Sequence, residues 1–165
     1  MITPLASAHR ARLVDLVRAT HEFSEDEKQV ALELIDACLA GDSDYRVCVD
    51  VGEGDLDDAG TLRGYICYGP TPMTLGTYDL YWIAVDPARK GSGIGRTLVA
   101  HMEAELAREG ARLVRVETEG SHEYAATRAF YEAIGYARAA TLRDFYAEGR
   151  DLVIYTRRVS ASGSR

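Results

Sequence analysis

The sequence predicts an α/β or α+β fold, a sheet with helices packed on it. Three observations carry that prediction. Strand-like apolar runs alternate with amphipathic helical patterns along most of the chain. The helical patterns stop at glycines, Gly41, Gly110 and Gly135. A glycine-rich segment, "KGSGIG", joins the strongest strand pattern to a helical one.

The elements follow in order. Residues 8–20, "AHRARLVDLVRAT", place Leu13, Leu16 and Val17 on one helical face. "SEDEKQVALELIDACLAG" opens with a capping box, Ser24 and Glu27, and carries Val30, Leu34, Ile35 and Cys38 as its apolar stripe. "YRVCVDV" (45–51) and "LRGYICYG" (62–69) are strand patterns flanking an acidic hairpin end. Asp55, Asp57 and Gly60 there do not make a calcium loop, because Ile66 stands where the twelfth-position glutamate belongs. "TYDLYWIAV" (77–85) is a strand pattern. The helix after "KGSGIG" repeats Ile94, Leu98, Met102 and Leu106. "ARLVRVETE" (111–119) is a further strand, and "EYAATRAFYEAIG" (123–135) a helix with Ala126, Phe130 and Ile134 inward. "YARAATLRDFYAEG" and "RDLVIYTRRV" close the pattern as two antiparallel strands, and 160–165 is a polar tail, so 1–159 reads as one domain.

Composition narrows the class. With 165 residues, 47% hydrophobic and 27% charged, the chain has enough apolar material for one packed core. A net charge of −7 argues against a nucleic-acid surface; it mildly favours a cationic partner, and solubility alone explains an acidic surface about as well. No apolar run has membrane-spanning length, and the first ten residues lack a signal peptide's apolar core. Cys38, Cys48 and Cys67 show no metal spacing and read as small buried hydrophobes in a reducing, cytoplasmic setting. No metal is expected. The sequence does not choose between monomer and homodimer.

A strand, a short loop and a glycine-rich helix start form an anion site. The first helical turn leaves N–H groups unpaired, and the helix dipole adds positive potential. Glycines at 91, 93 and 95 keep side chains off that backbone, while Lys90 and Arg96 add charge. A P-loop would need Gly-Lys-Ser/Thr where Gly95-Arg96-Thr97 stands. A dinucleotide fingerprint counted from Gly91 and Gly93 would need glycine at Arg96. A structural turn without ligand is the plain alternative.

Beyond the loop itself, the sequence resembles the GNAT superfamily of N-acetyltransferases, which use acetyl-coenzyme A. "KGSGIG" matches the family's cofactor loop with Lys90 in place of Arg or Gln. "LYWIAVDP" matches the strand that leads into it, and "AATRAFYEAIGY" matches the second signature. The resemblance is strong over 76–136 and thinner in the N-terminal third. It implies a mixed, mostly antiparallel sheet of six to seven strands with about four helices, and central strands that splay to form a cofactor cleft. It implies acetyl-CoA as donor, with its pyrophosphate on Lys90, Gly91, Ser92, Gly93, Ile94, Gly95 and Arg96. Ile83, Ala84 and Val85 would hold the pantetheine arm as an added strand would.

The resemblance also makes Tyr131 the candidate general acid, since that family's Phe/Leu-Tyr pair commonly protonates the departing thiolate. A Tyr merely packed on the cofactor is the ordinary alternative. For the base, strand alternation puts Arg115, Glu117 and Glu119 on one face. Glu117 is the candidate, because the family often carries its base on this strand; Glu119 and Asp79 are rivals. An arginine-paired surface carboxylate is the bland reading of either glutamate. His122 is a lesser candidate, His9, His21 and His101 stand in no partner pattern, and Tyr124 occupies the position of a family Asn, so no role passes to it. The function implied is direct acetyl transfer to a primary amine of a small molecule, an amino-acid derivative or a peptide. A silent acyl-CoA-binding sensor or scaffold is the alternative.

Overall fold

The structure, a computed structural model, describes residues 1–52 and 62–159. The acidic hairpin end and the polar tail read from the sequence lie outside these residues. The elements run β1 (Ile2–Pro4), α1 (Arg10–Ala19), α2 (Glu25–Ala40), β2 (Arg46–Val51), β3 (Leu62–Pro70), β4 (Thr77–Val85), α3 (Ile94–Arg108), β5 (Leu113–Glu119), α4 (Ala125–Ala133), β6 (Ala137–Ala147) and β7 (Arg150–Arg158). The strands form one seven-stranded sheet in the order β1-β2-β3-β4-β5-β7-β6. The β1/β2, β2/β3, β5/β7 and β6/β7 pairs are antiparallel, and β4/β5 is parallel. The mostly antiparallel sheet and the four helices match the expectation. β1 was not foreseen, because three residues carry no alternation to detect.

The chain divides into two compact units, and the division runs through β4 and α3. The first holds 1–69 and 81–102. Its core gathers Leu13, Leu16 and Val17 of α1, Ala31 and Ile35 of α2, Val47, Val49 and Val51 of β2, and Tyr65 and Cys67 of β3. The stripe of α2 is turned from the one expected: Ala31 and Ile35 are buried while Val30 is exposed. Alanine does not mark a hydrophobic period, yet its small side chain lets the helix sit close. The Ser24–Glu27 capping box forms as the sequence predicts, with Glu27 N–H donating to Ser24 Oγ at 3.2 Å and Ser24 N–H to Glu27 Oε2 at 2.7 Å. His9, for which no partner was foreseen, is buried and accepts the Ala6 N–H on Nδ1 at 3.1 Å. Cys48 and Cys67 are buried and Cys38 half-buried, all as free thiols; burial pushes the Cys67 thiol up to about 12.

The second unit holds 70–80 and 103–165. In its described strands Val114, Val116, Leu152, Val153 and Tyr155 are buried. α4 ends at Gly135, whose φ of 91° lets the Tyr136 N–H turn back onto the Tyr131 carbonyl at 2.9 Å.

Gly64 of β3 is fixed by close approach. A Cβ there would lie 2.9 Å from the Ala84 carbonyl oxygen and 3.1 Å from Ile94 Cγ2. The first neighbour is backbone of β4, which cannot move aside as a side chain can. Gly64→Ala is therefore expected to destabilise the protein by about 1–3 kcal/mol, read as a lower urea midpoint at unchanged m-value. An unchanged midpoint would mean that β4 yields freely at Ala84.

Candidate active site

In the first unit the loop after β4 is built by local hydrogen bonds. Asp86 accepts the Ala88 N–H at 2.9 Å and so caps a short 3-10 turn, Pro87–Arg89. Ser92 Oγ donates to the Arg89 carbonyl at 2.6 Å. Gly91 and Gly93 have φ values of 80° and 86°, the left-handed region that other residues avoid. Nothing lies within 4 Å of where a Cβ would stand on either, so open space faces this backbone. The Gly93 carbonyl takes the first helical bond of α3, from the Thr97 N–H at 3.0 Å. The N–H groups of Gly91, Gly93, Ile94, Gly95 and Arg96 have no backbone acceptor among the described residues. Unpaired amides beside open space, at the positive end of a fifteen-residue helix, fit a pyrophosphate. Arg96 is exposed. The Lys90 ammonium pairs with Glu22 of the α1–α2 connection, and that bond holds the Glu22 carboxyl below the usual carboxylate range.

Ile83 and Val85 are half-buried and Ala84 is buried. The parallel ladder to β5 covers Thr77–Leu80 opposite Leu113–Val116 and goes no further, although both strands continue.

In the second unit, β5 carries the acidic candidates. Arg115 sits opposite Asp79 in the ladder, and its Nε donates to Asp79 Oδ1 at 2.5 Å. Asp79 is buried and also accepts the Thr71 hydroxyl at 2.9 Å. Arg115 Nη1 lies 3.4 Å from Glu117 Oε1, which confirms the shared face that alternation predicted. Glu117 keeps a side chain 42% exposed. Glu119, its rival, is buried, and the Arg150 guanidinium grips both its carboxylate oxygens. That grip holds the Glu119 carboxyl below its usual range. Arg128 of α4 donates to the Glu119 and Ser121 carbonyls at 2.6 and 2.7 Å, fixing the turn between strand and helix. Neither arginine was singled out from the sequence. Arg150 meets Glu119 only because the β5/β7 register sets Glu119 opposite Leu152.

The inward face of α4 also needs correction. Ala126 is exposed and Phe130 half-buried, while Tyr131 is the buried residue of the helix. The inner stripe is Thr127, Tyr131 and Ile134. An aromatic pocket sets this rotation: the Tyr131 ring lies 5.6 Å from that of Tyr136 and 6.1 Å from that of Tyr155, with Phe130 edge-on at 5.3 Å. Burial raises the Tyr131 phenol above its ordinary value. Tyr124 is the half-buried residue just before α4, and His122 is exposed.

Residues 10–136 match the acetyltransferase (GNAT) family. The chain belongs to the GNAT family. A ribosomal protein bS18-alanine N-acetyltransferase of Escherichia coli is 35% identical over 103 residues, 61% of this chain and 68% of that protein. The N-alpha-acetyltransferase RimI of Mycobacterium tuberculosis is 36% identical over 53% of this chain and 52% of its own length. Among solved structures, a GNAT-family protein of Desulfovibrio desulfuricans has a TM-score of 0.88 and 38% identity, covering 97% of this chain and 99% of its own. An aminoglycoside 6'-N-acetyltransferase complexed with coenzyme A shares the fold, with a TM-score of 0.75 over 99% of each chain at 17% identity. This GNAT protein is an N-acetyltransferase that uses acetyl-CoA. Among the described residues no helix is long and apolar enough to cross a membrane.

Proposed function

We propose that this GNAT enzyme acetylates the α-amino group of a polypeptide in the cytoplasm. The observation that carries the acceptor class is its likeness, at 35–36% identity, to two enzymes whose names specify N-terminal or alanine acetylation. The donor supplies an activated acetyl thioester. Its pyrophosphate is assigned to Lys90, Gly91, Ser92, Gly93, Ile94, Gly95 and Arg96, where unpaired amides and a helix dipole meet. Its pantetheine arm is assigned to Ile83, Ala84 and Val85, whose edge away from β3 has no ladder partner beyond Leu80 among the described residues. An amide there would polarise the thioester carbonyl, a contribution of ~3 kcal/mol where water is excluded.

Tyr131 is assigned as the general acid. Burial secures its protonated form at neutral pH, the form an acid must have. The same burial makes it a weaker acid, so its proton moves as charge builds on sulfur rather than before. Glu117 is assigned as the base, directly or through water. Its exposure supports this choice over Glu119, whose oxygens are taken by Arg150, and Asp79, which is buried between Arg115 and Thr71.

Thiol release with a peptide bearing a free N-terminal alanine tests the acceptor. Turnover is expected with that peptide and not with its N-formylated form; turnover only with small amines would refute the acceptor class. Gly93→Asp, which sets a negative side chain over the amides, should weaken acetyl-CoA binding in calorimetry, and unchanged affinity removes the loop assignment. Tyr131→Phe should lower kcat by roughly 10²–10⁴ with little change in acetyl-CoA affinity. Glu117→Gln should lower kcat/KM at neutral pH and recover in part at high pH, where free amine is plentiful. An acidic limb left in place would return the search to Asp79 or to ordered water.

A further inference from the structure

The connection between α1 and α2 is tied down at two points in the first unit. Glu22 pairs with Lys90, the residue just before Gly91. Next to it, the Phe23 ring meets that of Trp82 of β4 edge-on, with centroids 4.9 Å apart and planes at 74°. Trp82 is the only tryptophan in the chain and directly precedes Ile83. The connection therefore touches the loop assigned to the pyrophosphate by charge, and by an aromatic contact the residue just before the strand segment assigned to the pantetheine arm.

The charge contact is exchangeable. The Lys90 and Glu22 side chains are 51% and 33% exposed, and an ion pair in that setting is held weakly. Glu22 places a carboxylate where a lysine beside a phosphate loop would otherwise meet phosphate. A pyrophosphate carries more charge and more acceptor oxygens than one carboxylate, so it competes well for the same ammonium. Phe23 and Trp82 are partly buried and pack against the core to which α1 and α2 contribute.

We propose that Glu22 is a positioning residue for the cofactor loop: its carboxylate holds the Lys90 ammonium until the donor's pyrophosphate replaces it, and that exchange shifts the α1–α2 connection at Phe23–Trp82. This rests on the reading that residues 90–96 take the pyrophosphate. Donor arrival is thereby transmitted to a segment that does not itself bind the donor. In the free enzyme Glu22 acts as an internal competitor and sets the donor affinity below what the loop alone would give.

The test uses acetyl-CoA calorimetry and Trp82 emission on the full chain, with Glu22→Gln, Lys90→Gln and the double variant. ADP serves as a second probe, because it carries a pyrophosphate but no pantetheine arm to lie along the strand that holds Trp82. Glu22→Gln is expected to bind acetyl-CoA about 3–10-fold more tightly, and to have no such effect in the Lys90→Gln background. ADP should shift Trp82 emission in the wild type and leave it unmoved in Glu22→Gln, whose emission already matches the ADP-bound wild type. Unchanged or weaker acetyl-CoA binding by Glu22→Gln overturns the proposal. So does an equal gain in the Lys90→Gln background, or ADP binding with no emission shift in the wild type. If the wild type binds acetyl-CoA but Gly93→Asp binds it equally well, the loop reading fails, and this proposal fails with it.

Discussion

The parallel ladder between β4 and β5 is four residues long, and much else depends on where it stops. Leu80 pairs opposite Val116, and the following residues of β4 belong to a different compact unit from those of β5. A backbone amide left without a ladder must find another partner. Beyond Leu80, β4 keeps β3 on one edge, and among the described residues it has no strand ladder on the other. Gly64 reinforces this by letting β3 sit against Ala84 with no side chain between them. The strand is thus held firmly on one edge, which is what a site needs if it is to present the other without reorganising.

The charges of the second unit are arranged in the same economical way. An acidic chain would be expected to leave many carboxylates solvated, yet the three on β4 and β5 have different fates. Asp79 is buried and neutralised by Arg115, Glu119 is buried and gripped by Arg150, and Glu117 shares Arg115 while staying exposed. Paired buried carboxylates hold strands in register. Glu117 is the carboxylate of the three that stays open to solvent. Net charge, the quantity visible in composition, has no bearing on that division.

Much of the fold was legible because its signals are local. The α1 face of Leu13, Leu16 and Val17, the Ser24–Glu27 box, the α3 repeat from Ile94 to Leu106 and the glycine stops all depend on residues within a few positions of one another. The glycine loop was legible for the same reason, since φ preferences and helix-start amides are properties of a short segment. The misread faces share a cause too. Hydrophobic periodicity weighs phenylalanine above tyrosine and valine above alanine, so it turned α4 toward Phe130 and α2 toward Val30. In α4 the pocket between Tyr136 and Tyr155 takes the Tyr131 ring instead, and in α2 the buried position goes to Ala31.

The sequence by itself determined the order of every element but β1, the glycine-rich helix start at residues 90–96 and the family likeness, because each is written in contiguous residues with fixed spacing. Only the tertiary structure decided which acidic group is open and which is paired. Arg150 lies 31 positions from Glu119, and Lys90 lies 68 from Glu22. Those pairs exist because strand register and helix packing bring distant charges within reach, and no local pattern encodes a partner that arrives from elsewhere in the chain.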